Sequence, residues 1–251
     1  MTFTDAEPDD KRFGAAVDKK NEGPSWFNKP RPMMVVVNMG TSEFGRQRSQ
    51  GDAVVAFDFD GTLTIRDSFL AFLAWRAGRL GFWLGLVRLA PAGIVYLFNR
   101  DRGRLKAAAV RVFLFGVSRH DLVRSCESFA SSSSGERLIR PDAEQCWAQW
   151  RRDGAVMTIV TASPEEVVAP FAAQLGADVL IGTRLKFDDQ DRITGEFDGE
   201  NCRGEEKVRR LKARFGPQLR LKAAYGDTSG DREMLALAEV RGYRVFTARR
   251  R

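Results

Sequence analysis

The sequence predicts an α/β fold, a parallel sheet wound on both faces, with an all-helical domain inserted after its first strand. Three observations lead there. Short, continuous apolar runs recur at 53–57, 155–160, 177–181, 221–225 and 243–246, with the length and residue types of strands buried on both faces. Helical patterns at 164–175, 204–215 and 231–239 fall between several of them, the alternation expected of a doubly wound sheet whose site lies at the carboxyl ends of its strands. Residues 65–150 carry no strand alternation and read as helix, with the tract Ser131-Ser132-Ser133-Ser134-Gly135 as a turn.

In chain order, residues 1–52 hold eight basic and eight acidic side chains and one short apolar run at 33–37. That composition is expected of a disordered leader. Asp5, Glu7, Asp9 and Asp10, with no apolar stretch, do not make a secretory signal. Residues 53–64 and 151–251 are then the Rossmann-like catalytic core and 65–150 the helical cap. Across all 251 residues, 43% hydrophobic and 29% charged side chains exclude a wholly disordered chain or a fibrous repeat. The cysteines Cys126, Cys146 and Cys202 are odd in number and widely spaced, which suits a reducing cytoplasm and forms neither a disulfide framework nor a zinc site. His120, the single histidine, has no partner at ligand spacing and reads as a solvated or helix-end residue.

The formal charge of +7 is local. Residues 66–124 carry eleven basic and three acidic groups, a net +8, while the rest of the chain nearly cancels. A basic insert invites nucleic acid or an acidic membrane, but no nucleic-acid-binding module is recognisable, so no nucleic acid is expected. Within the insert, 80–98 has one charge, Arg88, and Pro91 near its middle. A central Arg costs about 2.5–3.5 kcal/mol on insertion scales, and Pro kinks a helix. The stretch therefore reads as two short helices in a hairpin, either buried in the cap or dipping into one leaflet. Trp75, Trp83 and Tyr96 with Arg76, Arg79, Arg100, Arg102 and Arg104 are the residue types that anchor at interfaces.

The chemistry begins at Asp58-Phe59-Asp60-Gly61-Thr62-Leu63-Thr64, where the first strand ends. Carboxylates at i and i+2 project from one side of an extended backbone, so one can attack while the other handles a proton. Thr161 ends the second run and is followed by Ala162-Ser163-Pro164. A hydroxyl there, before a helix, suits a phosphoryl oxygen, and Ser163 reads as the helix N-cap. Next come Asn201-Cys202-Arg203-Gly204-Glu205-Glu206-Lys207 and, after the fourth run, Gly226-Asp227-Thr228-Ser229-Gly230-Asp231. Asp227 and Asp231 offer the hard oxygens that favour Mg²⁺.

In this order the four motifs resemble those of the haloacid dehalogenase-like superfamily, and the position of the insert resembles its phosphoserine-phosphatase-like branch, subclass IB. The resemblance spans roughly residues 53–246. It implies Asp58 as the nucleophile forming an aspartyl-phosphate, and Asp60 as the general acid and base. Thr161, with Thr62, would bind the phosphoryl group, and Lys207 would neutralise charge between it and Asp58. Mg²⁺ would be held by Asp58, the Asp60 backbone carbonyl and Asp227, with Asp231 beside them. Aspartate at 60 marks a phosphatase, since the dehalogenases lack that carboxylate and the transport ATPases carry Thr. Arg203 stands where some relatives place the motif lysine, so it could share or replace the role of Lys207.

Two branches compete for the substrate. Phosphoserine phosphatases place an acid nine positions after the nucleophile to hold the substrate amine, and Asp67 has that offset; but they follow the second hydroxyl with Gly-Gly, where this chain has Ala162-Ser163-Pro164. The bacterial phosphatidylglycerophosphate phosphatases are similar around Cys202–Val208, 217–221 and Tyr243-Arg244-Val245, and their cap contains a membrane segment where 80–98 lies here. The expectation is a Mg²⁺-dependent phosphomonoesterase acting on an anionic, lipid-linked phosphate from the cytoplasmic side of a membrane. The alternatives are a phosphatase of phosphoserine or another small metabolite, and a non-catalytic binding protein working through its basic patch.

Overall fold

The structure is a computed structural model that describes residues 53–99 and 102–250; the leader expected at 1–52 lies outside them. The apolar run at 53–57 forms β1 (Val54–Phe57), every residue of which is buried. It pairs in parallel with β2 (Val156–Pro164) on one side and β6 (Leu221–Gly226) on the other. β2 carries β3 (Val179–Thr183) and β6 carries β7 (Ala238–Tyr243), which completes a five-stranded parallel sheet ordered β3-β2-β1-β6-β7. Strand side chains alternate between faces, and two apolar layers result. Val55, Phe57, Met157 and Ile159 join one layer; Val54, Ala56, Val160 and Ala224 join the other.

Helices cover both layers. On the first face lie α5 (Pro141–Arg152) and α6 (Glu165–Leu175), contributing Trp147, Val167, Val168 and Phe171. On the second lie α7 (Glu205–Phe215) and the short α8 (Arg232–Ala236), contributing Leu211, Met234 and Leu235. Phe57 stacks on Tyr225 with ring centroids 4.4 Å apart and meets Trp147 at 5.1 Å; burying a ring of this size contributes roughly 1.5–3 kcal/mol.

Three longer cap helices, α1 (Ser68–Asn99), α2 (Arg102–Leu114) and α3 (Arg119–Ala130), come before the short α4 (Ser133–Glu136) and α5. Ser118 caps α3 by accepting the Asp121 N–H. The expected turn at 131–135 instead contains the one-turn helix α4 (Ser133–Glu136), because Ser132 accepts the Gly135 N–H and starts a helical turn. The two crossings between core and cap are laced together: Ile65 N donates to Leu138 O at 2.8 Å and Arg140 N to Leu63 O at 2.9 Å. This fixes the cap above the carboxyl ends of β1 and β2.

Three expectations are corrected. Residues 80–98 form no hairpin: the helix runs on through Pro91, and α1 breaks at Gly78 instead, whose φ of +66° is left-handed. α2 packs back on α1, with Phe113 stacked on Phe82 and set against Gly85. The helix expected over 231–239 is only α8, and the last strand begins at Ala238, not at 243. A hairpin of β4 (Leu185–Phe187) and β5 (Ile193–Phe197) was not foreseen. It leaves the core to grip the cap: Ile193 N donates to Val117 O at 3.0 Å, and Arg119 pairs with Asp191 at 2.7 Å.

Candidate active site

β1 ends at Asp58, whose N–H donates to Tyr225 O of β6 at 2.9 Å. The next five residues coil into a tight turn, Phe59–Leu63, in which Gly61 has φ +85°. A side chain at Gly61 would be strained and would also collide with the Asp227 carboxylate, so the close approach of these two loops requires glycine. The turn brings Thr62 back to Asp58, where its Oγ1 donates to Asp58 Oδ2 at 3.1 Å.

Lys207, on the first turn of α7, is fully buried and has three partners: Asp58 Oδ1 at 2.6 Å, Asp231 Oδ1 at 2.7 Å and Val160 O at 2.7 Å. Burial alone lowers a lysine's pKa, but Asp58 and Asp231 outweigh it and hold Lys207 above its ordinary value. Burial pushes the Asp58 carboxyl up to about 7, with Lys207 pulling against it and Asp231 adding to it. Burial raises Asp231 too, yet Lys207 and the Thr228 donors carry it below the usual range. Thr228 supplies its N–H and hydroxyl to Asp231 Oδ2, each at 2.9 Å.

Asp58, Asp227 and Asp231 each turn an oxygen toward a common point, all within 4.8 Å of one another. Asp227 Oδ1 is buried with no hydrogen-bond partner. Lys207 offsets Asp58 and Asp231 but leaves the buried Asp227 oxygen orphaned, which is costly without a further partner, and hard oxygen donors of this kind fit Mg²⁺. The Asp60 carboxylate is not in this cluster. It accepts the Ser68 N–H at 2.7 Å and the Ser163 hydroxyl. Burial, with Asp67 nearby, raises its pKa, so it holds a proton more readily than a free aspartate.

The structure places the other expected residues as follows. Thr161 is buried beside Asp58's strand, and its Oγ1 accepts the Ser163 N–H at 3.0 Å. Ser163 is not the N-cap; Pro164 occupies that position, and the Ser163 side chain serves Asp60. Arg203 does not share the place of Lys207. Its guanidinium donates to Thr228 Oγ1 at 3.4 Å and Ser229 Oγ at 3.1 Å, on the neighbouring loop. Asp67 caps the start of α1 through the Leu70 N–H at 2.8 Å and lies 3.5 Å from Lys106. Lys106 itself had no sequence signal. It descends from α2 of the cap onto Ser163 Oγ at 3.2 Å and the Ala162 carbonyl at 3.4 Å.

Above these groups is a cavity of about 600 Å³ between core and cap. Its floor is Asp58, Asp60, Asp227, Asp231 and Lys207; its cap side is mixed, with apolar Ile65, Phe69, Leu70, Leu73, Leu89, Leu105 and Ala109 beside charged Arg66, Asp67 and Lys106.

Comparison with known proteins identifies the family. Residues 55–236 match the model of the haloacid dehalogenase-like hydrolase family. Protein CicA of Caulobacter vibrioides is 54% identical over 227 residues, covering 88% of this chain and 96% of that protein. Phosphoserine phosphatase SerB1 of Mycobacterium tuberculosis is 30% identical over 197 residues, covering 74% of this chain and 62% of that one. A solved phosphoserine phosphatase complex with bound substrate shares the fold, with a TM-score of 0.53 at 18% identity over 78% of this chain and 87% of that one.

Proposed function

The chain belongs to the haloacid dehalogenase-like hydrolases; from that premise we propose that it is a phosphatase and hydrolyses an amphipathic, lipid-like phosphate monoester through an aspartyl-phosphate on Asp58. The observation that carries the phosphatase chemistry is the division of labour between two adjacent carboxylates. Asp58 faces Lys207 and the acidic cluster, while Asp60 is turned away to Ser163 and Ser68. An Asp58 oxygen attacks phosphorus, the bond from phosphorus to the ester oxygen breaks, and Asp60 gives that oxygen its proton. Asp60, now ionised, takes a proton from water, which attacks the aspartyl-phosphate and releases inorganic phosphate. Thr161 and Thr62 bind phosphoryl oxygens, and Lys207 offsets their charge. Asp58, Asp227 and the Asp60 backbone carbonyl would hold Mg²⁺, with Asp231 beside them; when bound, the ion would screen the phosphoryl charge.

The apolar part of the cap side favours a hydrocarbon-bearing substrate over a small polar one. Each methylene buried there is worth about 0.8 kcal/mol. Asp67, the residue that phosphoserine recognition would need, is occupied by the α1 N-terminus and by Lys106.

The same helix gives the reason for placing the protein at a membrane surface. By length and composition Ser68–Val95 could cross a bilayer, yet only 17% of its most apolar stretch is buried. Its inner side is fastened to α2 through Phe82 and Gly85, so only the outer stripe is open to lipid, and the helix lies along the surface.

The test is a Mg²⁺-dependent release of phosphate from 1-acyl-glycerol phosphate, p-nitrophenyl phosphate and phosphoserine. The acyl ester is expected to lead phosphoserine by at least about tenfold in kcat/KM, and Asp58→Asn to lose turnover on all three. A lead for phosphoserine would transfer the reading to a small-metabolite phosphatase. Undiminished turnover by Asp58→Asn would remove the nucleophile.

A further inference from the structure

Among the described residues, two that are not glycine have a left-handed backbone: Asp191 at φ +57° and Arg244 at φ +55°. Asp191 lies in the turn of the β4–β5 hairpin, and aspartate is one of the side chains that tolerate this conformation. Arginine lacks that tolerance, and glycine would adopt the turn at 244 freely. A strained residue persists only where its surroundings over-determine it, and such residues cluster at functional sites.

Arg244 is over-determined from both sides. β7 ends at Tyr243, and Arg244 N donates to Gly226 O at the end of β6 at 2.9 Å. Two residues on, Phe246 packs against Tyr225 with ring centroids 5.3 Å apart, and Thr247 N then donates to Asp142 Oδ2 at 2.7 Å. From the turn between these anchors the Arg244 side chain reaches back to β6. Its Nε donates to the Asp227 carbonyl at 2.7 Å, and its guanidinium carbon lies 5.2 Å from the centre of the Tyr243 ring. One residue therefore holds two successive carbonyls, Gly226 through its backbone and Asp227 through its side chain, where β6 runs into the acidic loop.

The two carboxylates of that loop are held differently. Asp231 is fixed by Lys207 and by the Thr228 N–H and hydroxyl. Asp227 brings an oxygen within 4.8 Å of those of Asp58 and Asp231, yet its buried Oδ1 has no hydrogen-bond partner. With that oxygen unbonded, the direction of the Asp227 carboxylate depends on the backbone that carries it. We propose that Arg244 is a positioning residue for Asp227: by clamping the Asp227 carbonyl from a left-handed turn, it aims the carboxylate at Asp58 and Asp231 and so sets the affinity of the cluster for a divalent cation. This rests on the reading of the cluster as a Mg²⁺ site, and assigns control over it to a residue outside the cavity lining. Outer partners that orient a metal ligand are worth tenfold or more in metal affinity.

The experiment follows thermal unfolding of the full chain in EDTA and across a Mg²⁺ titration at constant ionic strength, without substrate, so that the rise in Tm reports Mg²⁺ affinity. Arg244→Gly relieves the backbone and removes the clamp, whereas Arg244→Lys keeps the turn, the charge and one donor. Arg244→Gly is expected to unfold in EDTA at or above the wild-type temperature, yet to need about ten times more Mg²⁺ for the same rise. Arg244→Lys should need less Mg²⁺ than Arg244→Gly, a comparison that decides the matter even where Arg244→Gly is destabilised. Wild-type Mg²⁺ affinity in Arg244→Gly, or Arg244→Lys no better than Arg244→Gly, overturns the positioning role. No rise in the wild type overturns the metal reading and the proposal together. A wild-type rise without hydrolysis of p-nitrophenyl phosphate overturns the phosphatase reading alone, and the variants still decide the role of Arg244.

Discussion

Lys207 is a buried cation paired with both Asp58 and Asp231, and its replacement tests the electrostatics of the whole site. Lys207→Met keeps the length of the side chain but leaves the carboxylates uncompensated. Removing one partner of a buried ion pair costs about 3–5 kcal/mol, which for a domain of this size is a fall of about 10 °C in Tm. Millimolar Mg²⁺, if held among the same oxygens, would bind the folded state and should return part of that loss; turnover should stay down by about 10²–10³-fold. Thermal unfolding with and without Mg²⁺ checks this, and an unchanged Tm would show that the carboxylates do not need the lysine. Most of these residues were legible because each ends a strand or opens a helix at a recognisable spacing: Asp58 and Asp60 after β1, Thr161 on β2, Lys207 on α7, Asp227 and Asp231 after β6. Lys106 and Ser163 were not. Lys106 is one of many basic residues in the cap, and only the folding of α2 over the core, 46 residues further along than Asp60, brings it onto Ser163. The side chain of Ser163 could cap a helix or turn toward Asp60, and local sequence does not choose between them.

At the scale of elements, the cap helix α3 meets the core helix α6 through Phe129 and Phe171, with ring centroids 5.9 Å apart. Glu166, in the first turn of α6, is buried, and its Oε2 has no partner. Burial pushes its carboxyl up to about 7, Glu165 adds to this, and Arg119 on α3 opposes it. Between the unfolded value of 4.5 and about 7 the folded chain holds the proton that the unfolded chain has lost. Stability from this group is therefore complete below pH 4.5 and is lost as the pH rises to 7, roughly 3 kcal/mol in all. Glu166→Gln, neutral at every pH, should flatten that slope and be more stable than the wild type at pH 8 by about 1–3 kcal/mol. Urea unfolding at pH 5 and pH 8 decides it; parallel pH dependence in both proteins would rule Glu166 out as the source. Elements with strong periods were legible, including β1, β2, β6, α6 and α7. β7 was not, because Glu239, Val240 and Arg241 are exposed on an edge strand and continue the helical pattern of α8. β4 is three residues long, too short for any period to show.

At the scale of the molecule, Arg76, Arg79 and Arg88 are exposed on the same helix, α1, as the apolar side chains that follow Gly78. On the outside of α1, Leu80, Trp83, Leu84 and Val87 recur at i, i+3, i+4 and i+7, and Ile94 and Val95 continue the stripe. Leu80 is 75% exposed, Trp83 67% and Val87 71%. A helix apolar around its whole circumference is normally buried in protein or in lipid, and this one is covered by protein on one side only. Arg76, Arg79, Arg88 and Arg104 are exposed beside it, where anionic headgroups would attract each by about 1 kcal/mol and long side chains can reach the headgroups from an immersed helix. Inward, the same helix supplies Leu73 and Leu89 to the cavity above the acidic cluster. Sedimentation with vesicles containing anionic lipid should therefore deplete the protein from solution, and neutral vesicles should do so less. Replacing Leu80, Trp83 and Val87 together by Gln removes about three large side chains from the lipid contact, at roughly 1.5–3 kcal/mol each, and should abolish sedimentation. Turnover of the acyl ester in vesicles should fall with it, while p-nitrophenyl phosphate in solution is hydrolysed as before. Sedimentation that persists in the triple variant would move the contact elsewhere on the cap; equal loss on both substrates would mean that the stripe holds the cap together instead of meeting lipid.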